Sequence, residues 1–149
     1  MEDKKFNIEI DAPPSKVWET LWGDETYPQW TSPFCEGSHA VTDWQKGSKV
    51  LFLDHNKDGG IAMIEDKKPN EFMSLKMLGE VKGGVEDYES EAACGMAGGF
   101  ENYTLTETNG KTYLEIHMGG TDFPKEMMDY MYDAWPKALH ELKRIAEQD

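Results

Sequence analysis

Cysteine and arginine are scarce in this chain. Cys35 and Cys94 are its two cysteines. They lie far apart, neither belongs to a C-x-x-C pair, and both are read as reduced structural thiols rather than a disulfide. Arg144 is the sole arginine. The planar fork that grips carboxylates and phosphates is therefore nearly absent, which argues against tight recognition of a phosphorylated substrate. No apolar run approaches 18 residues, so no transmembrane helix is expected. Met1-Glu2-Asp3-Lys4-Lys5 leads into an alternating strand rather than a signal-peptide core, and the cytoplasm is the expected location. Positive charge is also in deficit. The net charge is −14, which repels phosphate backbones and anionic lipid surfaces, so neither nucleic acid nor membrane is an expected partner.

The signatures of catalysis and metal binding are missing as well. His39, His55, His117 and His140 are scattered. With no H-E-x-x-H motif or Cys/His cluster, no zinc site is expected. His117 has the opposite parity to Leu114, Ile116 and Met118, so it faces outward with Glu115. No G-x-S-x-G occurs. Gly95-Met96-Ala97-Gly98-Gly99 is glycine-rich but opens a strand, and it lacks the helix dipole that cradles phosphate. Glu86, Asp87, Glu89 and Glu91 read as a solvated loop, because paired-carboxylate chemistry needs buried geometry. Asp54 to Glu65 matches the calcium-loop pattern D-x-N-x-D-G-x₅-E. Strands rather than helices are expected on either side, and Asp, Asn and Gly suit a hairpin turn equally well, so the plain turn is preferred. No metal and no cofactor are expected.

What is present suits one domain over residues 1–149 with a core of its own: 38% of residues are hydrophobic and 30% charged. The first strand is Lys5–Ile10, with Phe6, Ile8 and Ile10 on one face. Pro13-Pro14 opens a short helix, Ser15–Trp22, and Asp24–Trp30 reads as a second helical turn limited by Pro28. Strands follow at His39–Trp44, Ser48–Leu53, Ile61–Asp66 and Glu71–Val81. Gly83–Gly99 is an irregular excursion with a helical turn at Glu89–Cys94. Phe100–Thr106 and Thr112–Met118 flank Asn109-Gly110, a strong hairpin signal.

Pro124–Gln148 is one long amphipathic helix, with Asp122 or Thr121 as its cap and Pro124 just inside. Pro136 costs such a helix roughly 3 kcal/mol. Six or so buried apolar side chains, at about 1.5–3 kcal/mol each, offset that. Before Pro136 the stripe is methionine and aromatic, which suits a ligand-facing surface; after it the stripe is leucine and isoleucine, which suits a structural clamp. The fold class is α+β: a curved antiparallel sheet of about six to seven strands around the long C-terminal helix, with two short helices after the first strand.

Ile10-Asp11-Ala12-Pro13-Pro14, Val17-Trp18, Leu21 and Trp30 resemble the opening of the SRPBCC (START/birch-pollen-allergen-like) superfamily. Trp44-x-x-Gly47-Ser48, Pro69, Glu101-Asn102-Tyr103-Thr104-Leu105, Asn109-Gly110-Lys111-Thr112 and Trp135-Pro136 with Leu139 and Leu142-Lys143 are similar to its branch named after the activator of heat-shock-protein ATPase. The resemblance covers nearly the whole chain. It implies a helix-grip fold with a cavity between sheet and helix. Superfamily members bind lipids, sterols and polyketides, some are cyclases, and the namesake stimulates a chaperone ATPase. No catalytic motif is shared across the branch.

Inward parity places Phe52, Met63, Met73, Met77, Tyr103, Leu105 and Met118 from the sheet, and Met127, Met131 and Trp135 from the helix, around an apolar pocket. Trp30 and Phe34 line its mouth. The leading expectation is a non-enzymatic binder of a hydrophobic small molecule. The alternative is a protein-interaction module that modulates a chaperone or another partner through its acidic surface. A cyclase- or hydrolase-like enzyme using Tyr103 with a carboxylate or histidine ranks below both, since no nucleophile–base pair is visible.

Overall fold

The computed structural model describes residues 4–120 and 125–148. Strand β1 (Lys4–Ile10) alternates as its sequence does, with Lys5, Asn7 and Glu9 exposed. Helix α1 (Pro14–Trp22) takes Pro14 in its first turn, where the missing N–H would have had no partner anyway, and buries Val17, Leu21 and Trp22. The same reasoning corrects the second helix. Pro28 sits in the first turn of α2 (Tyr27–Thr31) and starts the helix instead of limiting it.

Strand β2 (His39–Val41) is shorter than its apolar pattern suggests. Thr42 and Asp43 capture the backbone N–H groups of Trp44 and Gln45 at 3.1 and 3.0 Å, and Trp44 turns to a φ of 58°. Side-chain bonds of this kind compete with a strand ladder. Strands β3 (Lys49–Leu53), β4 (Gly59–Lys68) and β5 (Phe72–Lys82) then pair in succession. The expected irregular excursion is more ordered than its composition indicates. It forms a short strand, β6 (Val85–Asp87), on β5, and a helix, α3 (Glu91–Met96), capped by the Ser90 hydroxyl, which accepts from Ala93 N at 3.1 Å. Strands β7 (Phe100–Thr108) and β8 (Lys111–Gly119) close on Asn109-Gly110. Both turn residues have positive φ, as a two-residue hairpin requires.

The sheet runs β1-β8-β7-β5-β4-β3-β2, every pair antiparallel, with β6 on β5 making eight strands. Register shifts between Ile61 and Ala62 and between Ile64 and Asp66 leave Leu78 of β5 and Glu65 of β4 unpaired, two bulges of the kind that bend a sheet. The sheet curves around α4 (Lys125–Ala146), a continuous 22-residue helix containing Pro136. The expected caps Thr121 and Asp122, and Pro124, lie outside the described residues. The C-terminal end of α4 is tied to the start of the chain: Asp11 N donates to Glu147 at 2.8 Å and Lys143 Nζ donates to Glu9 O at 3.0 Å.

The main core lies between the concave face and the helices. Ile10, Ile64, Leu75, Leu114 and Ile116 of the sheet meet Val17, Leu21, Trp30, Leu139 and Leu142. A smaller cluster of Leu53, Ile61 and Val81, with Leu51 and Leu78, occupies the other face. No helix among the described residues is long and apolar enough to cross a membrane.

Candidate functional site

The first half of α4 stands off the sheet and leaves a cavity of about 420 Å³. Met127, Tyr130, Met131 and Trp135 form its helical wall, and Phe52, Met77 and Tyr103 its sheet wall. Tyr27 and Thr31 of α2, with Phe34 and Cys35 just after it, close one side. The far end is the β3–β4 turn, where Gly59 is needed: a Cβ there would lie 1.7 Å from Phe52 O.

Trp135 joins the cavity to the core. It is 2% exposed, and its ring lies 4.9 Å from Phe34 edge-on, 5.7 Å from Phe6 in a stack, and 6.2 Å from both Trp30 and Tyr103. Aromatic pairs at these separations add to area burial. Its Nε1 is buried and meets no acceptor among the described residues.

Polar groups border the cavity on β7 (Glu101 and Tyr103), on and after α2 (Tyr27, Thr31, Cys35 and Ser38), at the β3–β4 turn (Asp54 and Asp58), on β5 (Glu80) and on α4 (Tyr130). The Tyr103 hydroxyl donates a short hydrogen bond to Glu101 Oε1. Burial raises the Glu101 carboxyl above its ordinary range, and the bond from Tyr103 offsets part of that. Burial and then the neighbouring Glu101 charge push the Tyr27 and Tyr103 phenols well above theirs. Burial also raises the Cys35 thiol, against a hydrogen bond from Ser38. At the rim, backbone N–H groups of Asn56 and Asp58 reach Asp54 Oδ1 at 2.7 and 3.0 Å and hold that carboxyl below its usual range.

Of the residues expected around a pocket, the structure brings together Phe34, Phe52, Met77, Tyr103, Met127, Met131 and Trp135. Trp30, Met73, Leu105 and Met118 are buried in the main core instead. Trp30 does not line a mouth: it is 1% exposed, and its Nε1 donates to Leu21 O at 3.0 Å. Met63 is a correction. It pairs with Lys49 and follows Ile61 by two residues, so the pleat puts it on the opposite face of the sheet.

The structure adds Glu101, Tyr27, Cys35 and Tyr130 to the lining. The signal for Glu101 lies in the sequence, because it shares parity with Tyr103 and Leu105, but a pocket sought by apolar side chains passes over a carboxylate. Tyr27 begins a five-residue helix and Cys35 lies in the loop after it, both too short for a periodicity to apply.

The calcium-loop pattern forms the turn between β3 and β4, with strands on both sides. Asp58 Oδ1 accepts from Gly83 N at 2.7 Å, so the turn's acidic oxygens serve backbone N–H groups. Among the described residues no three His, Cys, Asp or Glu converge to hold a metal ion. His117 lies edge-on to the Phe100 ring at 5.1 Å on the β7–β8 pair. A larger hollow of about 520 Å³ lies over Glu9, Thr106, Lys111 and Tyr113, all exposed residues of the solvated strand face. A third, of about 330 Å³, lies beside Trp18, Trp22 and Trp44.

A curved antiparallel sheet gripping a long C-terminal helix, with a cavity between them, defines the helix-grip class of SRPBCC proteins. The family described as activator of Hsp90 ATPase homolog 1-like protein matches residues 11–147, and the chain belongs to it. No curated protein matches the sequence. Among solved structures, the Aha1 dimer from Colwellia psychrerythraea is 16% identical at a TM-score of 0.76, over 99% of this chain and 97% of that one. An HSP90 activator from Plasmodium falciparum is 12% identical at 0.70, over 97% and 96%. CalU16 from Micromonospora echinospora is 16% identical at 0.66, over 97% and 76%. At these identities the likeness is one of fold alone.

Proposed function

We propose that the protein binds a hydrophobic small molecule, without turnover, in the cavity between the sheet and the first half of α4. The observation that carries this is the cavity itself: about 420 Å³, walled by methionine and aromatic side chains. That volume falls in the range of small-molecule sites. Methionine supplies an adaptable wall, and buried Trp135 and Tyr103 supply a fixed one.

The test is thermal unfolding against fatty acids, sterols, aromatic polyketides and lipophilic amines, with Met131→Trp as control. A ligand at about 100 times its Kd stabilises by about 2.7 kcal/mol. A reproducible rise that Met131→Trp abolishes is the expected outcome. No shift with any compound refutes the proposal.

A protein partner, such as a chaperone, is the second reading. It is favoured by the family's namesake and by Tyr130 and Tyr132, which are 46% and 49% exposed on the same half-helix. Aromatic side chains are enriched at interfaces. Binding to a chaperone ATPase that Tyr132→Ala weakens, with no small-molecule shift, would decide for it.

A further inference from the structure

The cavity carries a charge asymmetry that its apolar walls do not require. Asp54, Asp58, Glu80 and Glu101 all border it, and among the described residues no lysine, arginine or histidine does. Asp54 is at the solvated rim and held ionised by backbone N–H groups. Glu101 lies deeper on β7, beside Tyr103, with no basic side chain among the described residues to offset its burial. The carboxyls are too dispersed to form a metal site. Tyr27, Tyr103 and Trp135 add aromatic rings around them.

Aromatic faces attract a cation, and a desolvated carboxylate is stabilised by one. An anionic ligand would meet four carboxyls here and, among the described residues, no cationic side chain. We infer that the cavity takes a small lipophilic amine, its ammonium group against Glu101 and its apolar body against Met131 and Trp135. This rests on the ligand-binding function proposed above and specifies the ligand's chemistry. The net charge of −14 works in the same direction, raising the local concentration of cations.

Two thiols make the test internal to one molecule. Cys35 is half-buried at the cavity and Cys94 is exposed on α3. The folded full-length protein is alkylated with iodoacetamide, and each site is followed by mass spectrometry. The probes share one apolar body: 2-naphthylmethylamine, 2-naphthalenemethanol and 2-naphthoic acid. The amine is expected to protect Cys35 at a concentration at least about tenfold lower than the alcohol, a difference of about 1.4 kcal/mol. The acid gives no protection, and Cys94 reacts at one rate throughout.

In Glu101→Gln the amine's advantage falls to within about twofold while protection by the alcohol persists. Equal protection by amine and alcohol, or a preference that survives Glu101→Gln, overturns the assignment and leaves a hydrophobic-ligand function standing. Protection by none of the three overturns both. If Glu101→Gln loses cooperative unfolding, the head-group series on the unsubstituted protein decides alone.

Discussion

The two halves of α4 are built from one amphipathic stripe, yet they meet different surroundings. Beyond Pro136, the residues Ala138, Leu139, Leu142, Ile145 and Ala146 are all buried. Before it, no residue from Lys125 to Asp133 is buried, although Met127, Met128, Met131 and Tyr132 continue the stripe. The difference lies in the opposing wall. The second half rests on α1 and β1 and is tied by Lys143 and Glu147 to Glu9 and Asp11. The first half faces the bent end of the sheet at β3–β5 and α2, and the space between them stays open. One helix thus serves as an anchor and as the wall of a cavity, and Trp135 sits where the two meet.

The sharpest way to break this comparison is Leu142→Ala. Leu142 is fully buried, so the loss is expected to be about 2–5 kcal/mol, read as a lower urea midpoint with an unchanged slope. Pro136→Ala comes next. The position is exposed, and alanine restores a backbone donor, so a gain of about 1–3 kcal/mol is expected. A loss instead would mean that the proline is what lets the two halves serve different walls. Met131→Ala, on the open half, is expected to cost about 1 kcal/mol or less, because its side chain is only partly withdrawn from water. A cost as large as that of Leu142→Ala would mean that the cavity is closed core in solution.

The smallest effect is electrostatic. Burial raises the folded-state carboxyl of Glu101 above its ordinary range. The folded protein therefore holds this proton more tightly than the unfolded chain does. The resulting stability is fully present below the unfolded carboxylate range and is lost as pH rises through the raised value. Glu101→Gln does not titrate, so its advantage over the parent is expected to grow from acid to neutral pH and then level off. Paired urea titrations at pH 4 and pH 7 check this, and an advantage that shrinks towards neutral pH would contradict it.

The hairpin at Asn109-Gly110, the proline starts of α1 and the alternation of β1 were legible because each is a local rule with a local cause. The division of the last helix at Pro136 was legible as a change from methionine to leucine. The bulges of the β4–β5 pair were not legible, nor was the capture of Trp44 and Gln45 by Thr42 and Asp43, which shortened β2. Both parities of β4 are apolar there, Ile61 and Met63 on one and Ala62 and Ile64 on the other, so parity misplaced Met63. It also could not separate Met73, Leu105 and Met118, which pack in the core, from Met77 and Tyr103, which border the cavity.

By itself, then, the sequence determined most of the strands and helices and most of the side chains that turn away from water, though not β6 or the facing of Met63. Those choices follow from backbone sterics and from hydrophobic periodicity within a few residues. Only the tertiary structure decided which apolar side chains close on one another and which border an empty space, and that Glu101 shares that space with Tyr27 and Cys35. Those outcomes depend on the curvature of the sheet and the angle of a helix across it, which no short stretch of chain encodes.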